Sequence, residues 1–169
     1  MQSLRTAQRL SAYNRTVFEK YLRSAVRRGW KVACKDRGTG HLSIKNTLVH
    51  ILNVHEAWMV AVAQGRWEVF DVPGRRGPDV HSWAELRKYR DRVWKGVDTL
   101  MAGLTDATLR RPVKAPWMPG KYTLEDAFFQ TSFEQAHHLG EIIGVYWQAD
   151  WPPAPMTWIE NQGRPGRRR

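Results

Sequence analysis

Two residues one helical turn apart, Glu134 and His138, have the types and the spacing to grip a cation. They lie in the run Tyr122 to Trp147, where Phe128, Thr131, Glu134, His138, Ile142 and Val145 recur at intervals of three and four. On a helix that spacing puts them on one face. A carboxylate and an imidazole thus interrupt an apolar stripe, and polar groups on a buried face cost free energy unless something satisfies them. A divalent metal ion would satisfy both at once. Taken alone, the pair reads better as an intrahelical hydrogen bond than as a metal site. An ion needs at least one more ligand, from elsewhere in the chain.

The remaining histidines are the candidates. His50 and His55 share the run Ile44 to Ala63. His50 is flanked at helical spacing by Asn46 and Asn53, whereas His55 lies on the stripe Ile44, Leu48, Ile51, Trp58 and Val62, beside Glu56. Spacing does not choose between them. His41 and His81 read as loop residues beside helix caps, with no special role. His137 pairs at helical spacing with Phe133 and Glu141 on a different face, a surface or supporting position. Zinc accepts imidazole and carboxylate, and three protein ligands leave a position open for water or substrate. Two imidazoles and a carboxylate also suit iron, nickel or manganese. The sequence lacks His-Glu-x-x-His, which argues against the common metalloprotease arrangement. The single cysteine, Cys34, excludes an internal disulfide and a cysteine-based zinc site and reads as an ordinary thiol.

Four helices are expected to carry these residues. The first spans residues 3 to about 27, with Leu10, Tyr13, Val17, Tyr21 and Leu22 as its apolar face; Asn14 near that face reads as a hydrogen-bonding group inside the bundle. Ser43 is a good N-cap for the second, which Gly65 ends. Residues 66 to 81 form a long connection, of the length that functional loops use. Ser82 and Glu85 predict a capping box for the third helix, whose Leu86, Val93, Val97, Leu100 and Leu104 repeat at bundle spacing. Pro112, Pro116, Pro119 and Gly120 break the chain before Thr123 and Asp126 cap the fourth. Gly140 reads as a point of close helix approach. Asp150 to Pro155 stops that helix and should fold Trp151 back on the bundle, and Met156 to Asn161 is expected as a last short turn. No strand is expected. The architecture is all-α, a four-helix bundle of residues 1–161 with a basic tail, 162–169, and its long connections permit a crossover topology.

At 169 residues the chain has room for one real core, and with 42% hydrophobic residues and nine tryptophans it is far from a disordered composition. Most of the tryptophans are expected in the core, with Trp58, Trp117 and Trp147 as candidates to line a pocket. No apolar run reaches membrane-spanning length, and Met1 to Arg9 lacks a signal-peptide core, so a cytoplasmic protein without a membrane partner is the expectation. The net charge of +11 invites a nucleic-acid reading. Four of those charges are Arg164, Arg167, Arg168 and Arg169, others are spread along helices, and no nucleic-acid-binding motif is present. A solvated basic surface is the better reading.

Two stretches in order carry a resemblance. Ser43, Ile44, Leu48, His50, Ile51, Glu56 and Trp58 resemble the second helix of the DinB/YfiT-like superfamily, and Glu134, His138, Gly140 and Glu141 resemble its fourth-helix signature. Trp151, Pro152, Pro153 and Trp158 look like that family's end. The resemblance covers roughly residues 5 to 161. It implies a four-helix bundle with a divalent metal held by His50, Glu134 and His138. The family's usual first fourth-helix ligand is histidine, and Glu134 resembles instead the mycothiol-dependent maleylpyruvate isomerase branch. Leu139 and Glu141 replace the usual arginine and glutamine. The implied function is a metal-dependent enzyme, zinc or nickel first, that activates a low-molecular-weight thiol or water for transfer to a small electrophilic substrate, as bacillithiol transferases do. His55, His137 and Glu141 are the candidate supporting groups and general bases, and a homodimer is implied by other members. The alternatives are a non-catalytic metal-binding stress-response or ligand-sensing protein and, last, a nucleic-acid binder.

Overall fold

The computed structural model describes residues 2–72 and 74–159. In chain order its elements are α1 (Gln2–Arg28), α2 (Trp30–Cys34), α3 (Ile44–His55), a π-helical segment (Glu56–Val62), two 3-10 turns (Trp67–Asp71 and Gly77–Asp79), α4 (Trp83–Ala102), α5 (Asp106–Leu109), β1 (Pro112–Val113), β2 (Tyr122–Thr123) and α6 (Leu124–Gln148). Helices α1, α3, α4 and α6 are the four expected ones, and the protein is all-α apart from one small antiparallel pair that sets Pro112 opposite Thr123. That pair corrects the expectation of no strand: two residues a side is too short for any alternation to show in the sequence.

Local chemistry starts the helices where expected. Ser43 accepts a hydrogen bond from the Asn46 N–H at 3.2 Å, and Thr123 and Asp126 form a complete capping box. At α4, Ser82 accepts from the Glu85 N–H, but the Glu85 carboxylate accepts from His81 rather than from Ser82, so the box is displaced by one residue. Gly65 ends the second helix at φ +68°, a conformation glycine adopts without penalty.

Packing makes the bundle. Phe18, Tyr21, Leu48, Ile51, Leu139 and Tyr146 are fully buried at its centre. Helix α6 packs against both α1 and α3. In a simple up-down-up-down ring the fourth helix would not border the second, so the connections cross over. Asn14 donates to Ser132 Oγ at 3.0 Å and its carbonyl accepts from Gln135, a bridge between α1 and α6.

The second helix departs from expectation after His55. It widens into the π-helical segment, and every residue of that segment except Ala57 is buried. A π turn shifts the register of the face, which α-helical spacing cannot anticipate. Two tight approaches are made by glycines not singled out in the sequence: a Cβ at Gly96 of α4 would lie 2.6 Å from Val60, and one at Gly77 would lie 2.4 Å from Asn46. Gly140, expected at such an approach, has nothing within 4 Å of a Cβ position and faces outward.

Beyond α6 the chain reverses at Asp150 (φ 53°) and folds back. Trp151 packs edge-on to Tyr146 at 5.6 Å, with the Arg28 guanidinium over both rings. Of the expected last turn, Trp158 and Ile159 are helical and Met156 and Thr157 are not; residues 160 and 161 and the tail 162–169 lie outside the described residues. Among the described residues, no helix is long and apolar enough to cross a membrane.

Candidate metal centre

Three segments distant in sequence meet near the middle of α3 and α6. Helix α3 supplies His50, α6 supplies Glu134 and His138, and the loop before α3 supplies His41. The ring of His50 stands edge-on to that of His138 with centroids 4.4 Å apart, and Glu134 Oε2 is 3.3 Å from His138 Nε2. His41 stacks on His50 at 3.9 Å and meets His138 at 4.8 Å.

The tightest set of donors is therefore not the one the resemblance implies. Ligand nitrogens of His41, His50 and His138 lie within 4.8 Å of one another, a second such group is His137, His138 and Glu141, and Glu134 belongs to neither. Glu134 faces the cleft beside His50, and its Oε1 accepts from Gln130 Nε2 at 2.9 Å. His41 was read from the sequence as a bystander. Its placement depends on a turn in which Leu42 takes φ 67°, rare for a side chain that is not glycine, and on Arg37 N–H donating to Leu42 O at 2.6 Å. No periodicity links a loop residue to a helix face, so nothing in the sequence marked it.

Electrostatics favour neutral imidazoles here. Burial, reinforced by His41 and His138, pushes His50 down to about 4, and burial likewise lowers His41. A neutral ring keeps the lone pair that coordination needs. Around His138 the carboxylates are arranged on both nitrogens: Glu134 at Nε2, and Glu141 Oε2 at 3.0 Å from Nδ1. A carboxylate on the far nitrogen of a ligating histidine fixes its tautomer and ring plane. This donor set, clustered imidazoles with a carboxylate beside them, fits a divalent cation chemically.

His137 is exposed and touches the ring of His138 at 4.8 Å. His55 is brought elsewhere. It is buried at 3% exposure, its Nε2 lies 2.7 Å from Gln135 Oε1, and its ring stands edge-on to Trp94 at 4.8 Å. Burial pushes it down to about 4, so it is a neutral core group with a satisfied hydrogen bond.

The centre opens into a cleft of about 410 Å³. His50 and Glu134 form one end, and Trp58, Trp117, Phe70 and Arg75 are among its walls. Trp58 and Trp117 thus line a pocket as expected, whereas Trp147 is 68% exposed and does not line this cleft. Arg75 is fixed by the buried carboxylate of Glu56, Nε to Oε2 at 2.6 Å, and that carboxylate also accepts from the Tyr89 hydroxyl at 2.9 Å and from Arg92.

With this geometry in hand, the comparisons with known proteins give one positive finding. A family model described as the DinB superfamily matches residues 15–142, a span that contains His41, His50, Glu134 and His138. No curated protein matches the chain.

Proposed function

We propose, from the premise that this chain belongs to the DinB superfamily, that it is a metal-dependent enzyme with a divalent ion held by His50, Glu134 and His138. Its reaction would be the transfer of a low-molecular-weight thiol, or of water, to a small electrophilic substrate. The observation that carries the reading is the meeting of His50 with His138 at 4.4 Å, with Glu134 3.3 Å from the latter.

The chain's own groups have separable tasks in this reading. His50 and His138 supply ring nitrogens, and Glu134 supplies a compensating negative charge. Glu141, 3.0 Å from Nδ1 of His138, fixes the ring plane so that Nε2 turns toward the centre. Trp58 and Trp117 wall the cleft and limit water around the reacting groups. A divalent ion bound at such a centre supplies Lewis acidity, which brings a thiol or water into its nucleophilic form near neutral pH. Zinc and nickel suit the donors best, with iron or manganese next.

His41 favours a second reading. With His41 as a fourth ligand the coordination sphere closes, and closed four-ligand sites are structural rather than catalytic. The protein would then hold or sense a metal without turnover. Elemental analysis of protein purified without chelator or added metal tests both. A stoichiometric ion is expected in the wild type and its loss in His50→Ala and His138→Ala; an empty wild-type protein would sink either reading. Metal-dependent conjugation of thiols to monochlorobimane is expected to survive in His41→Ala under the catalytic reading. Absence of any conjugation or hydrolysis, with metal content lowered by His41→Ala, would select the closed site.

A further inference from the structure

The cleft beside the metal centre has a second end, and its chemistry is specific. Trp58 from the π-helical segment, Phe70 from the 66–81 connection and Trp117 from the segment before β2 converge there. Trp58 and Trp117 meet edge-on at 5.8 Å, and Phe70 and Trp117 at 5.9 Å. Phe70 and Trp117 remain 38% and 46% exposed, and Trp67, stacked on Phe70 at 6.0 Å, remains 39% exposed. Large aromatic rings gathered half-bare at the mouth of one cleft mark a surface that something apolar covers.

Two arginines border the same space. Arg75 lies over the face of Phe70 at 4.4 Å, and its Nε is taken by Glu56. Its terminal nitrogens have no hydrogen-bond partner among the described residues, and neither does the side chain of Arg76, which also lines the cleft. Glu56 pairs with both Arg75 and Arg92, whereas Arg76 forms no ion pair among the described residues. A guanidinium on a flat apolar wall is the arrangement that recognises a carboxylate by parallel hydrogen bonds and an aromatic body by stacking. The sequence showed Arg75 and Arg76 only as part of a punctuated loop; the Glu56 contact is what turns that loop toward the centre.

We infer that the cleft takes a small organic anion with a flat aromatic body, its carboxylate held by Arg75 and Arg76 and its rings packed against the cleft-facing surfaces of Trp58, Phe70 and Trp117. This rests on the proposed reading of the centre and deepens it by naming the substrate class: the anionic end is anchored at the arginines, and the opposite end of the molecule is presented to His50 and Glu134.

The test uses 1-naphthoate as probe and 1-naphthalenemethanol as its neutral counterpart, titrated calorimetrically into the full-length protein. A salt concentration of about 0.15 M screens the remote surface charges of a basic protein. Naphthoate is expected to bind about tenfold more tightly than the alcohol, and Arg76→Gln to remove that preference while leaving the alcohol unchanged, a difference of ~1.4 kcal/mol. Trp117→Ala should weaken both probes, and Arg87→Gln, a surface arginine of α4 outside the cleft, should weaken neither. Equal affinity for acid and alcohol, binding of neither, or an Arg76→Gln protein indistinguishable from wild type would overturn the inference. Arg75 is left intact because its removal would strand Glu56. Repeating the titrations on chelator-treated protein separates the two claims. An Arg76-dependent preference in a protein that holds no ion would retain the anion site and discard the metal; an ion held without any preference for naphthoate would do the reverse.

Discussion

At the scale of single residues, His138 is the pivot of the centre, with Glu134 3.3 Å from its Nε2 and Glu141 3.0 Å from its Nδ1. Glu134 and His138 were legible because four residues on a helix is a fixed distance, and the structure sets them 3.3 Å apart. His50 and His55 were not separable by spacing, although five residues turn a helix by about 140° and so send the two rings in different directions. What decided their surroundings was tertiary: His50 meets His138, and His55 meets Gln135. His41 was invisible because its position comes from a left-handed Leu42 in a loop. Glu141 was named as a supporting group, and its 3.0 Å contact with His138 Nδ1 gives it a measurable weight. Glu141→Ala is expected to weaken metal binding by about 10- to 100-fold, the usual cost of losing a carboxylate behind a ligating histidine. His137→Ala, an exposed neighbour with only a ring contact to His138, should change it little. Competition against a chromogenic chelator reads both, and equal effects would mean that Glu141 does not orient the ring.

At the scale of elements, helix starts were readable and irregularities were not. Ser43 and Thr123 cap as their side-chain chemistry demands, because a cap is decided within four residues. The π-helical segment, the strand pair and the approach at Gly96 are decided by what packs against them. The π segment matters most, since it buries Glu56 at 1% exposure, where Arg75, Arg92 and Tyr89 converge on it. Asn53 adds a 2.5 Å hydrogen bond to the Arg75 carbonyl. These contacts tie the 66–81 connection to the helix and so hold one wall of the cleft. Removing one partner from a buried ion pair strands the others, at a cost of ~3 kcal/mol or more. Glu56→Ala should therefore lower the urea midpoint substantially and make the 66–81 connection an early site of limited proteolysis. An unchanged midpoint with unchanged digestion would show that the loop is held by its aromatic contacts alone.

At the scale of the whole molecule, the excess of positive charge is carried mostly on the outside, and what acid attacks is the inside. The ion pairs Arg15 with Asp98 at 2.5 Å and half-buried Arg90 with Glu19 at 3.2 Å join α1 to α4, and an exposed pair such as the first contributes little. His55 is different, because burial has pushed its folded-state value down to about 4, from 6.5 for a free imidazole. Between those values the unfolded chain binds a proton that the folded chain refuses. The stability that depends on a neutral His55 is thus complete above pH 6.5 and declines as pH falls toward 4. At pH 5 the loss from this one group is about 2 kcal/mol. That is a large share of the stability of a domain, which is typically ~5–15 kcal/mol. Urea unfolding of chelator-treated protein at pH 7.5 and pH 5.0 should show that loss, and His55→Gln, less stable at pH 7.5, should lose about 2 kcal/mol less than wild type between the two values. The difference isolates His55, since His41 and His50 are unchanged in both proteins. Identical pH dependence in the two would mean that His55 takes up its proton inside the folded bundle, and that the Gln135 contact does not seal it from water.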